Sequence, residues 1–132
     1  MTFARGALAI GLTASALSGC AWFRAAPPPA LEHELWVTAT AYNSVRSQTD
    51  ADGSLTAFGI RLRPGMRIVA VSRDLEKLGM RQGVRIAIDG VKGEWEVGDR
   101  TASHWKRRID LYMGLDEKAA RAWGKRRVRI RW

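Results

Sequence analysis

The chain has 132 residues, of which 22 are Lys or Arg and 13 are Asp or Glu, giving a formal charge of +9 at pH 7. One cysteine excludes an intramolecular disulfide. The length suits one small domain with a single core, and the basic excess points to a polyanionic partner without specifying a fold.

The N-terminus carries Arg5, an apolar run from Gly6 to Ala16, and then Leu17-Ser18-Gly19-Cys20. A basic start, a short apolar run and small residues before a cleavage point predict a signal peptide over residues 1–19. The run is shorter than the about 20 apolar residues that a bilayer span needs. Leu17-Ser18-Gly19-Cys20 resembles the lipobox of bacterial lipoproteins, which implies lipid attachment at Cys20, the first residue of the mature chain; a free thiol is the alternative. At about 0.8 kcal/mol per buried methylene, several acyl chains would hold the protein on a membrane. Residues 20–34 contain Pro27, Pro28 and Pro29 and predict a stiff tether with a reach of roughly 40 Å.

From Leu35 the pattern changes to short alternating runs: Trp36 to Tyr42, Arg67 to Val71, Val84 to Ile88, Glu94 to Val97, Ile109 to Tyr112 and Val128 to Trp132. These predict six strands. Two short helices are expected, Asp74 to Leu78 stopped by Gly79 and Asp116 to Trp123 stopped by Gly124. So much strand in residues 35–132, too few for a two-layer sandwich, predicts a mainly β domain closed as a small barrel. No internal sequence repeat is strong enough to use.

Two carboxylates interrupt this apolar pattern. Asp99 closes the run Val97-Gly98-Asp99, and Asp110 lies between Ile109 and Leu111. Alternation sends Ile109 and Leu111 into the core and Asp110 with Tyr112 to the opposite face. Burial and the like charge of Asp99 would both raise the Asp110 pKa, as a general acid requires. Capping a turn or pairing with Arg100, Arg107 or Arg108 is the structural alternative.

Trp95, Trp105, Trp123 and Trp132 suggest a carbohydrate platform, but Trp95 and Trp132 fall on apolar strand faces and are expected to pack. Trp105 is left as a substrate-contact candidate. His104 beside it reads as a solvated loop residue, and two histidines with no cysteine nearby make no recognisable zinc site.

Val37 to Tyr42, Leu55-Thr56-Ala57-Phe58-Gly59, Val69-Ala70-Val71, Leu78-Gly79, Asp99 and Ile109-Asp110-Leu111-Tyr112, followed by Ala119 to Gly124, together resemble the three-aspartate (3D) domain. That family is similar to the catalytic part of membrane-bound lytic transglycosylase A and to rare lipoprotein A. The resemblance covers residues 36–132 and implies a six-stranded double-psi β-barrel acting on peptidoglycan without a metal or other cofactor. It implies Asp110 as catalytic acid and base, Asp99 as its support, and Thr56, Gly59 and Tyr42 in the glycan groove. Three positions differ from the family pattern. Ser72 replaces its first aspartate, for which Asp74 is a stand-in candidate; Arg100-Thr101 replaces Thr-Gly after the second; and Phe58 replaces a small residue.

Loss of residues 1–19 removes Arg5 alone, leaving 21 Lys and Arg against 13 acids and a formal charge of +8. Lys106-Arg107-Arg108 and Lys125 to Arg131 concentrate that charge, and Arg127, Arg129 and Arg131 share one strand face. An exported protein does not meet nucleic acid, so peptidoglycan carboxylates and anionic lipid headgroups are the expected polyanions. Three functions are compatible with the sequence: a glycan-cleaving enzyme, a non-catalytic peptidoglycan-binding barrel, and a basic lipoprotein binding lipid or a protein partner. Each implies lipid anchorage in the bacterial cell envelope, at the periplasmic face of the outer membrane.

Overall fold

A computed structural model describes residues 31–44 and 54–132; the expected signal peptide, Cys20 and the prolines of the tether lie outside the described residues. The chain forms strands β1 (Glu34–Tyr42), β2 (Ile68–Val71), β3 (Arg85–Ile88), β4 (Glu94–Arg100), β5 (Arg108–Tyr112) and β6 (Arg126–Arg131). Helix α1 (Arg73–Lys77) follows β2, and α2 (Glu117–Trp123) follows β5. The strands close into a barrel in the order β1-β5-β2-β4-β3-β6. The mainly β reading therefore holds, with all six strands found. The main departure is β4, which continues past Val97 to Arg100.

The alternation seen in the sequence builds the core. Val37 and Ala39, Val69 and Val71, Ile86 and Ile88, Trp95 and Val97, Ile109 and Leu111, and Val128 and Ile130 all point inward and are buried. Closure gives every strand two partners and leaves no open edge. All four residues of β2 are buried, as expected of a strand covered on both faces. Trp95 belongs to the core and Trp132 packs against it, as their strand positions predicted.

The topology has an internal symmetry that the sequence does not reveal. The order β1-β2-α1-β3 repeats as β4-β5-α2-β6. The parallel pair β1·β5 corresponds to β4·β2, and the antiparallel pair β1·β6 corresponds to β4·β3. The antiparallel pairs β2·β5 and β3·β6 map onto themselves. Two parallel pairs inside one small barrel require crossing connections rather than hairpins. That interlocked arrangement is the expected double-psi barrel.

Capping residues set the helix ends. Asp116 lies just outside α2 and its Oδ1 accepts the Ala119 N–H at 2.8 Å, while Gly124 leaves the helix at φ 65°. Leu75 anchors α1 in the core, and Gly79 stops that helix at φ 108°. A second, smaller cluster of Leu62, Ile68 and Tyr112 lies outside the barrel wall, flanked by Tyr42 and Met66. It fixes the 54–66 loop over the outer surface of β1, β2 and β5, and so partly roofs the surface where the carboxylates stand.

Candidate active site

Strand register puts Thr40 of β1 opposite Asp110 of β5, Asp110 opposite Ala70 of β2, and Ala70 opposite Asp99 of β4. These four residues form one row across four adjacent strands, on the face away from the core. Asp110 and Asp99 are roughly 10 Å apart at the backbone, two strand spacings of about 4.8 Å. Ala70 lies between them in the register.

Strict alternation does not place Asp99 in this row. Trp95 and Val97 face the core, so a regular strand would turn Asp99 inward as well. The pairing of β2 with β4 shifts by one residue after Val69↔Val97, so that Ala70 meets Asp99 and Gly98 is the extra residue. This β-bulge re-aims the Asp99 side chain toward Asp110. Gly98 fits because it has no side chain: a Cβ there would lie 2.9 Å from Ile68 Cγ2 and 3.1 Å from Ile60 Cδ1.

The Asp110 side chain is 21 % exposed. Burial raises its pKa above the ordinary carboxylate value; the Arg108 charge and hydrogen bond pull it down, and Asp99 pushes it up again. Arg108 Nε donates to Asp110 Oδ1 at 3.2 Å, and its Nε and Nη2 donate to Thr40 Oγ1 at 3.2 and 3.0 Å. The Arg108 guanidinium also lies 3.8 Å from the centre of the Trp105 ring. Of the three arginines near Asp110 in sequence, Arg108 is the one that reaches it, because residues two apart on a strand share a face.

The raised pKa has a consequence for folding. A carboxyl whose pKa is higher in the folded state stabilises that state only while protonated, below its unfolded value of about 3.9. The contribution is lost as pH rises through the folded pKa. Melting curves from pH 3 to 7 should therefore show Asp110→Asn gaining stability relative to wild type as pH rises. A constant difference between the two proteins across that range would contradict the assignment.

Asp99 is held from three sides. Its Oδ1 accepts the Ala57 and Arg100 N–H groups, both at 2.8 Å, and its Oδ2 accepts the Tyr42 hydroxyl at 3.2 Å. Burial, then the Asp99 charge and hydrogen bond, then Asp110, push the Tyr42 phenol far above its ordinary range, so it stays protonated. Thr56 is buried, and its hydroxyl accepts the Ile60 N–H at 3.0 Å while its carbonyl accepts the Gly59 N–H at 2.9 Å. With Gly59 at φ 77°, these bonds shape the turn that aims the Ala57 N–H at Asp99. Thr56 and Gly59 thus lie beside the site and shape its loop.

The stand-in carboxylate does not join the row. Asp74 Oδ2 accepts the Arg107 N–H at 2.9 Å. Burial pulls the Asp74 pKa up, but hydrogen bonds from Ser72 and the Arg107 backbone outweigh it and leave the carboxyl below its ordinary value. Asp74 does not contribute to the Asp110 shift, whereas Asp99 does. Ser72 is fully buried, and its Oγ accepts the Arg108 N–H at 3.1 Å, tying the end of β2 to β5. Trp105 is 39 % exposed beside Arg108, and the His104 ring lies 4.6 Å from it at a tilt of 41°.

The basic stripe on β6 is largely neutralised. Arg129 pairs with Asp89 at 2.8 Å and Glu34 at 3.5 Å, and Arg131 pairs with Asp89 at 3.1 Å. Lys106, Arg107 and Arg127 instead gather beside the exposed Trp36 around an open cleft of about 190 Å³. Sequence reasoning grouped the arginines correctly by face but did not foresee Asp89, which reaches β6 from the turn after β3.

No helix among the described residues is long and apolar enough to cross a membrane. The chain matches no protein-family model, no curated protein and no solved structure.

Proposed function

We propose that the protein is a cell-envelope lipoprotein that cleaves peptidoglycan glycan strands by lytic-transglycosylase chemistry, with Asp110 as general acid and base. The observation that carries this reading is Asp110 itself: a carboxyl with a burial-raised pKa, opening on the outer barrel face next to a second carboxylate. The resemblance of residues 36–132 to the three-aspartate domain supplies the substrate, and the Leu17-Ser18-Gly19-Cys20 segment supplies the anchor at the periplasmic face of the outer membrane.

In this mechanism protonated Asp110 gives its proton to the glycosidic oxygen as the bond to the anomeric carbon breaks. The resulting carboxylate takes the proton of the sugar's own C6 hydroxyl, whose oxygen closes onto the anomeric carbon as an anhydro ring. The proton balance is neutral and no water is consumed. One carboxyl acts at both steps, unlike the two-carboxylate route of ordinary glycoside hydrolysis. Arg108 favours the ionised form of Asp110 after the first transfer, and Asp99 favours the protonated form before it. Digesting sacculi with the purified protein and finding anhydro-muropeptides by mass spectrometry tests the reading.

One observation favours a second reading, a non-catalytic peptidoglycan-binding barrel: the Arg108 contact occupies an Asp110 oxygen. Sacculi that are bound but release no product at any pH would support it. Both readings predict salt-dependent binding through Lys106, Arg107 and Arg127, because exposed charges are screened beyond about 8 Å at physiological ionic strength. Sacculus pull-down should weaken between low and high salt and on reversing those three charges. Reversing the paired Arg129 and Arg131 should matter less.

A further inference from the structure

We infer that the open cleft between α1 and the Phe58 loop is a carboxylate-binding subsite for the acidic stem peptide of the glycan, an inference that rests on the function proposed above. The cleft begins one residue beyond Asp99 on both sides. Ala57 donates to Asp99 and is followed by Phe58, while Asp99 itself is followed by Arg100. The Arg100 guanidinium lies 4.5 Å from the centre of the Phe58 ring. Two of the three departures from the family pattern therefore touch each other, and both line this cleft of about 540 Å³.

The cleft carries more positive charge than its one acid, Glu76, can pair. Arg100 Nε and Nη2 donate to Glu76 Oε2 and Oε1 at 2.7 and 2.9 Å, so both oxygens of the acid in the cleft are engaged. Arg73, Lys77 and Arg81 also line it, and none forms an ion pair with a described residue. Arg73 and Lys77 are four apart on α1, where like charges destabilise a helix. An anion between them relieves that repulsion, and a guanidinium fork suits the two oxygens of a carboxylate. Peptidoglycan presents such a group there: its stem peptide leaves one sugar of each repeat, beside the bond that Asp110 would cleave. The Phe58–Arg100–Glu76 wall separates this peptide from the glycan groove while keeping the two adjacent.

The test uses the full mature protein and two measurements. Titration with the soluble peptide L-alanyl-D-glutamate should show binding that weakens with salt. The Arg73→Ser/Lys77→Ser/Arg81→Ser variant should lose it by about tenfold or more, while Arg73→Lys/Arg81→Lys, which keeps the charge and loses the forks, should bind between the two. Cleavage of peptide-bearing sacculi relative to amidase-denuded strands should favour the former in wild type, and the ratio should fall in the triple Ser variant. Equal peptide affinity in wild type and the triple variant overturns the subsite, as does inorganic phosphate or an anionic-lipid vesicle matching the peptide. A wild type that cleaves both substrates but binds no peptide removes the subsite alone. A wild type that binds the peptide and cleaves neither removes the glycan-cleaving function and leaves the subsite standing.

Discussion

Asp110→Asn is expected to abolish glycan cleavage, lowering the rate by about 10²- to 10⁴-fold or more, while the barrel still folds and still binds sacculi. The amide keeps the shape of the side chain and can still accept from Arg108 Nε, so the contacts around it change little. It loses the ability to give and take a proton, on which both steps depend. The loss should appear in the rate of anhydro-muropeptide release and leave sacculus pull-down intact. Asp99→Asn should have a smaller effect on the same assay, because Asp99 acts on Asp110 through its charge and through the bonds that hold Tyr42 and Ala57. An Asp110→Asn protein that retained wild-type release would remove the general-acid role, and equal losses in both variants would make the two carboxylates a joint acid-base pair.

The parts of this site that follow from alternation were legible, and those that depend on register were not. Ile109 and Leu111 enter the core and Asp110 faces away because side chains on a strand have a period of two. The same period put Arg108 within reach of Asp110. The apolar runs, the stop at Gly124 and the Asp116 cap follow from local chemistry in the same way. The place of Asp74 was not legible, because it depends on where the Arg107 N–H arrives just before β5, a contact between residues distant in sequence. The neutralisation of Arg129 and Arg131 depends likewise on Asp89, brought beside β6 by the β3·β6 pairing. The repeat β-β-α-β was invisible because it is carried by strand directions and not by matching residues. Asp99 is the most instructive case: the sequence placed it close to Asp110, but a strand of strict alternation would have buried it.

Gly98→Ala is therefore expected to cost stability and activity together, whereas deleting Gly98 should leave Asp99 on the outer face. Without Gly98, Asp99 follows Val97 directly, and regular alternation keeps it on the face opposite Val97 and Trp95, still level with Ala70. The deletion removes the bend and twist that the bulge gives β4, so it alters how Asp99 meets Tyr42 and Ala57 without burying it. Gly98→Ala acts differently. The backbone keeps its bulge, but the new methyl group meets Ile68 Cγ2 at 2.9 Å and Ile60 Cδ1 at 3.1 Å, an overpacking of about 1–3 kcal/mol. Because Ile60 belongs to the loop that carries Ala57, relief of that contact moves the loop and loosens its hold on Asp99. Urea denaturation should give Gly98→Ala a lower midpoint than wild type, and anhydro-muropeptide release should fall with it. A Gly98→Ala protein with the wild-type midpoint and wild-type release would mean that Ile68 and Ile60 give way freely and that the lack of a side chain at Gly98 is of no consequence to the hold on Asp99.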